Sequence, residues 1–162
     1  MKRIVALALT MALIGSVSGN SQTAAPKADS ASVKPKTEKA VEPQILSKPS
    51  GVRYQDLVVG KGADAALGSQ VQCHYTLWLA DSTGLVKGKR LQSSKDTNQP
   101  FTCTLGERLI PGWSDGMVGM KEGGTRRLYI PWAQGYGAGG NPPMIPPKSN
   151  LVFEIEYLKA VK

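Results

Sequence analysis

Hydrophobic and polar positions follow a period of two in two segments of the chain. Val71, Cys73, Tyr75, Leu77 and Leu79 fall on one side of a period of two, with Gln72, His74, Thr76 and Trp78 on the other. Successive strand side chains point to opposite faces, so this segment predicts a half-buried strand. Near the C-terminus Leu151, Phe153, Ile155 and Tyr157 alternate with Glu154 and Glu156, which predicts a second strand with an apolar face that something must cover. Thr125 to Ile130 predicts a third. Between them, Pro111-Gly112 opens a helical pattern over Trp113 to Met120, where Trp113, Met117 and Met120 recur at i, i+4 and i+7 as one apolar stripe. An antiparallel sheet with a single short helix across its face is an α+β arrangement.

The first third of the chain has a different texture. Met1-Lys2-Arg3 is a short cationic start, Ile4 to Ile14 is an apolar run, and the small residues Gly15 to Gly19 follow. This is the layout of a signal peptide, expected over residues 1–19. The run is shorter than the roughly 20 residues that span a bilayer, an uncleaved anchor being the alternative. No cysteine stands there to carry a lipid. Residues 20–49 are rich in Ala, Lys, Pro, Ser, Thr and Glu, and no aromatic residue occurs between Gly19 and Arg53. Such a composition buries too little apolar area to offset the entropy of ordering, so a disordered spacer is expected. The three tryptophans and five tyrosines all lie beyond it, which assigns the core to a domain over residues 50–162.

The formal charge of +8 raises the question of nucleic acid or another anionic polymer. Lys2 and Arg3 belong to the expected leader, and the longest basic clusters are Lys87-Gly88-Lys89-Arg90 and Arg126-Arg127. Neither forms a phosphate-tracking stripe with interleaved aromatics, so no nucleic-acid partner is expected. The two cysteines, Cys73 and Cys103, have neither Cys-x-x-Cys nor metal-ligand spacing. They are read as core residues, with a disulfide open as the alternative in an oxidising compartment. The lone His74 has no nucleophile or carboxylate at motif spacing. The glycine-rich run Gly135 to Gly140 lacks the lysine of a phosphate loop. Any catalysis here has to use shape and placed dipoles. Turn-borne aromatic and aliphatic residues offer an apolar pocket suited to a small ring such as proline, although the same residues suit an ordinary core.

A series of short motifs decides more. Cys73-His74-Tyr75-Thr76, Ser93-Ser94, Gln99-Pro100-Phe101, Ile110-Pro111-Gly112-Trp113, Gly119-Met120-Lys121-Glu122-Gly123-Gly124, Gly135-Tyr136-Gly137, Ile145-Pro146-Pro147 and Leu151-Val152-Phe153-Glu154 occur in this order. Together they resemble the FKBP-type peptidyl-prolyl isomerases across about Gly51 to Val161. The resemblance implies a strongly bent antiparallel sheet of five or six strands wrapped around one short helix, with a proline pocket in the gap. By matching positions it implies Tyr75, Ile110, Trp113 and Tyr136 as catalytic residues. Trp113 would be the pocket floor, and the Ile110 N–H and Tyr136 hydroxyl would donate to the peptide's carbonyls. Substrate contacts would come from Leu91, Gln92, Phe101, Leu109 and Phe153, and from Met144 and Ile145 over the mouth.

The resemblance implies no metal and no cofactor. It implies proline-containing polypeptides as substrates, unfolded or nascent exported proteins among them, and macrolide immunosuppressants as ligands. The protein is expected to be a monomer, without membrane insertion after leader cleavage, in the periplasm or envelope of a bacterium. One pair departs from the pattern: Leu91-Gln92 stands where the family carries Phe-Asp. Losing the flat ring and the charge implies slower turnover. The alternative is a chaperone or peptide-binding module of the same fold.

Overall fold

The computed structural model describes residues 43–161, so the expected leader and most of the expected spacer lie outside the described residues. The strands are β1 (Leu46–Ser47), β2 (Arg53–Val58), β3 (Gln70–Ala80), β4 (Lys87–Ser93), β5 (Phe101–Thr104), β6 (Thr125–Ile130) and β7 (Leu151–Val161). The helix α1 runs over Pro111–Met117. The three segments predicted as strands become β3, β6 and β7, which are neighbours in the sheet. The sheet begins at Leu46, ahead of the expected domain start at residue 50.

The strand count and the shape of the sheet differ from expectation. The described residues form seven strands, all antiparallel, in the order β1-β2-β6-β7-β3-β4, with β5 sharing the free edge of β3. The sheet is open; it is neither strongly curled nor closed around the helix. Two of its strands carry almost no sequence signal: β1 is two exposed residues, and β5 is four residues without clean alternation. Both exist because β2 and β3 offer unpaired edges. One end of β3 pairs with β5 and the other with β4, so a single long strand carries two partners on one side.

Register aligns the apolar residues into rows. Leu77 faces Phe153, Phe153 faces Leu128, and Leu128 faces Tyr54 across four strands. The next row runs Tyr75, Ile155, Arg126, Asp56. These rows form the covered face, on which Val71, Cys73, Leu77, Leu128, Phe153, Ile155 and Tyr157 are buried. Burying a large apolar side chain contributes about 1.5–3 kcal/mol, so this face supplies most of the drive for folding.

Helix α1 is shorter than its apolar stripe predicts. Val118 leaves helical geometry and Gly119 takes φ +80°, so Met120 is buried beyond the helix rather than on it. Seven residues do not hold a helix in water; tertiary packing holds this one. Gly112 and Gly116, one turn apart, lie against β6. A Cβ on Gly112 would fall 2.5 Å from Ile130 Cγ2, and one on Gly116 would fall 2.5 Å from Leu128 Cδ1. The buried Arg126 fixes the last turn from the same strand. Its Nη1 donates to Gly116 O at 2.9 Å, its Nε and Nη2 donate to Asp56 at 2.6 and 3.0 Å, and its guanidinium stacks 4.3 Å over the Tyr54 ring. On the opposite face, Glu154 accepts hydrogen bonds from Lys87 and from Arg127, the latter at 2.6 and 2.9 Å. Burial opposes its ionisation, but those two cations outweigh it and hold the carboxyl below its ordinary range.

Two outcomes follow for stability. Gly116→Val, forcing a branched side chain into Leu128, should lower unfolding free energy by about 2 kcal/mol in urea titration. Because the folded-state pKa of Glu154 is depressed, its contribution is present above about pH 4.5 and is lost as pH falls through the lower folded value. The wild type should therefore lose melting temperature in acid more steeply than Glu154→Gln, with the gap between them closing as pH falls.

Candidate functional site

Where the start of α1 meets the covered face, a cavity of about 430 Å³ opens to solvent. Trp113 forms its base: the ring is only 4 % exposed and stands edge-to-face with Phe153 at 4.9 Å and 81° and with Tyr75 at 5.2 Å and 81°. Phe101 adds a fourth ring, 5.5 Å from Tyr75 and 6.1 Å from Trp113. Edge-to-face contacts lock each ring against its neighbours and contribute about 0.5–1.5 kcal/mol per pair beyond area burial. Each ring comes from a different element: Tyr75 from β3, Phe101 from β5, Trp113 from α1 and Phe153 from β7. Leu77, Leu109 and Pro111 complete the apolar wall.

Several polar groups of the cavity have no hydrogen-bond partner among the described residues. Ile110, the residue preceding the helix, has extended backbone geometry, and its N–H finds no acceptor among the described residues. Neither the hydroxyls of Tyr75 and Tyr136 nor the side-chain amide of Gln92 makes a hydrogen bond there, although all three residues line the cavity. The indole Nε1 of Trp113 is buried without a partner. Burial, then the adjacent Tyr136 and Cys73, push the Tyr75 hydroxyl above its ordinary range, so it stays a neutral donor. His74 points away from this cluster on the opposite side of β3, its Nδ1 within 3.0 Å of Ser94 Oγ; the same Ser94 oxygen accepts from the Tyr75 N–H at 2.9 Å. It is a strand-tying residue and not a base. An apolar recess with neutral, unpaired donors at its rim can hold a small ring and fix the carbonyls flanking it.

Eight of the residues singled out in the sequence line this cavity: Tyr75, Gln92, Phe101, Leu109, Ile110, Trp113, Tyr136 and Phe153. Three do not. Leu91 packs half-buried against the core, because the β3–β4 register slips between Leu77↔Gln92 and Trp78↔Arg90. The slip makes Leu91 the unpaired residue of a bulge and leaves Gln92 opposite Leu77, on the cavity side. Ile145 is 2 % exposed in the core, held by a two-way backbone pairing with Asn141 at 2.8 and 3.0 Å, and Met144 faces solvent. Leu77, Pro111 and Arg108 line the cavity without having been singled out as site residues. The first shares the face of Tyr75, and the second adjoins Ile110. Arg108 gave no signal, since it occupies a φ of +53° that glycine or asparagine normally fills. The two cysteines are free thiols on adjacent strands, diagonal rather than opposite, because Cys103 pairs with Val71 and Cys73 with Phe101. The Cys73 Sγ donates to Phe101 O at 3.6 Å, and the neighbouring Cys103 thiol together with burial pushes the Cys73 thiol above its ordinary range.

Comparison with known proteins agrees with this geometry. The family model for the FKBP-type peptidyl-prolyl cis-trans isomerase matches residues 61–158. A protein of Neisseria meningitidis serogroup B named FK506-binding protein is 46 % identical over 110 residues, covering 67 % of this chain and 95 % of that one. Among solved structures, FkpA from Escherichia coli is similar at TM-score 0.64 and 34 % identity, over 72 % of this chain and 51 % of its own. A peptidyl-prolyl cis-trans isomerase from Pseudomonas syringae pv. tomato is similar at TM-score 0.64 and 30 % identity, over 75 % of this chain and 84 % of its own.

Proposed function

The chain belongs to the FKBP-type peptidyl-prolyl cis-trans isomerases and so is an enzyme acting on proline-containing polypeptides; from that premise we propose that it twists the X-Pro amide non-covalently in the cavity over Trp113. Rotation about a peptide bond meets a barrier of about 18–20 kcal/mol, because twisting destroys amide resonance. In the twisted state the nitrogen becomes pyramidal and the amide loses much of its dipole. A dry aromatic recess favours that less polar state over the planar amide, which water solvates well. The proline ring rests on Trp113 between Tyr75, Phe101 and Phe153. The Ile110 N–H and the Tyr136 hydroxyl hold the flanking carbonyls, which restricts the rotating fragment to a productive path. Lowering the barrier by about 7 kcal/mol corresponds to about 10⁵-fold acceleration. No proton changes hands. The observation that carries this reading is the set of unpartnered donors around a recess of four interlocked rings.

The leader-like start and the likeness to FkpA support work on exported proteins in a bacterial periplasm or envelope. A macrolide of the kind named for the Neisseria relative would compete for the same recess. One observation favours a second reading, a peptide-holding module with little turnover: Gln92 lines the recess but makes no hydrogen bond to Tyr75.

Tyr136 is 37 % exposed and its hydroxyl makes no hydrogen bond among the described residues, so Tyr136→Phe should fold normally. Loss of one neutral donor should lower kcat/KM by about 2- to 10-fold in a protease-free prolyl-peptide assay. A wild-type chain that binds prolyl peptides without accelerating them would leave only the holding reading. With Tyr75 pushed above its usual range and no acid or base in the step, kcat/KM should stay flat from about pH 6 to 9. A bell-shaped profile would contradict the mechanism.

A further inference from the structure

The cavity over Trp113 does not end at Phe101. A second depression of about 310 Å³ adjoins it and shares Phe101, Arg108 and Leu109 as a common wall. Its remaining lining is polar: Gln70, Thr102, Thr104 and Glu107, with the half-buried Cys103. A chain whose proline fills the first recess advances about 3.3–3.6 Å per extended residue, so its neighbours reach this shared wall within one or two positions.

Arg108 stands on that wall with several unusual features. It is the single charged residue lining the first cavity, whereas Glu107 lines only the second. It is exposed and forms no ion pair or side-chain hydrogen bond among the described residues. Its backbone adopts φ +53°, a left-handed conformation in which non-glycine residues are uncommon and which recurs at ligand clamps. A guanidinium is a planar fork of donors that matches a carboxylate with two parallel hydrogen bonds, and it carries its charge at every working pH.

The geometry points to Arg108 as a specificity-determining residue, which selects prolyl substrates carrying an acidic side chain within two residues of the proline. This rests on the isomerase mechanism above and adds a substrate class to it. The acidic side chain meets Arg108 at the shared wall while the proline ring occupies the recess. The polar groups of the second depression receive the backbone that follows. A basic side chain at the same position is repelled, so the discrimination combines an attraction with a repulsion. Because the pair is solvent-exposed, its effect is modest and screened by salt.

The test uses prolyl peptides that differ in one flanking residue, Glu, Gln or Lys, placed at each of the two positions on either side of the proline in turn. Wild type, Arg108→Ala, Arg108→Glu and Lys61→Glu are assayed without protease. At one or more positions wild type should turn over the Glu peptide about 3- to 10-fold faster in kcat/KM than the Lys peptide. That ratio should collapse in about 1 M salt. It should approach one in Arg108→Ala and invert in Arg108→Glu. Lys61→Glu makes the same change in net charge away from either cavity and should keep the wild-type ratio. Each ratio is taken within one variant, so a general loss of activity or folded fraction cancels. Equal turnover of Glu and Lys peptides by wild type, or a Lys61→Glu ratio shifted as far as that of Arg108→Glu, would overturn the assignment of Arg108 and leave the isomerase mechanism standing. Failure of wild type to accelerate even the Gln peptides would overturn the mechanism itself.

Discussion

The close seating of α1 on β6 governs the rest of the molecule. Gly112 and Gly116 bring the helix so near that a single added carbon on either would overlap Ile130 or Leu128. That approach sets the height of Trp113 above the sheet, because Trp113 follows Gly112 directly and projects from a different side of the same turn. Arg126 reinforces it electrostatically. Its guanidinium joins a carbonyl of the helix's last turn, that of Gly116, to Asp56 on β2, while Leu128 and Ile130, the next inward residues of β6, supply the contact surface. A buried guanidinium is costly unless it is well partnered and its carboxylate is close; here each of its three nitrogens donates to an acceptor and Asp56 takes two of those bonds.

Given that seating, the recess follows from ring geometry. Trp113 cannot lie flat on the sheet, because Phe153 and Tyr75 meet it edge-on at about 80°. The rings therefore brace one another around an opening instead of collapsing into it. Polar groups at the rim remain unpaired because the elements carrying them are committed elsewhere. Ile110 precedes the first helical turn, where N–H groups have no acceptor within the helix. Tyr136 sits on the loop after β6, and Gln92 stands at the rim opposite Leu77, beside the bulge at Leu91. Unpaired donors over an apolar recess are unfavourable for the empty protein and favourable once a carbonyl-bearing ring arrives. The neutral chemistry proposed for this recess fits a Tyr75 hydroxyl that its surroundings push above its ordinary range.

The parts of this arrangement that were legible in the sequence are those with a regular period or a distinctive residue order. The alternation of β3 and β7 identified the covered face, and Pro111-Gly112-Trp113 identified the start of the helix. The same reasoning overextended α1 to Met120, because apolar spacing persists past the point where Gly119 turns the chain. It undercounted the strands and gave the sheet too much curl. The strands β1 and β5 are recruited by free edges on β2 and β3, and an edge is a property of the assembled sheet. Met144 and Ile145 were assigned together to the mouth of the recess, yet one faces solvent and the other is core.

The sequence by itself determined the covered face, the single helix, the family and most of the residues around Trp113, because these rest on local periodicity and on residue identities in a fixed order. Tertiary structure alone decided which of two neighbours lines the recess: Gln92 pairs with Leu77 at its rim, and a one-residue slip next to it leaves Leu91 half-buried against the core. It also decided that Arg108 joins the wall, since a positive φ at an arginine is set by the loop's closure between β5 and α1 and leaves no trace in composition. Strand alternation and residue order are carried by neighbours along the chain. Register slips and loop closure are settled only when distant segments pack.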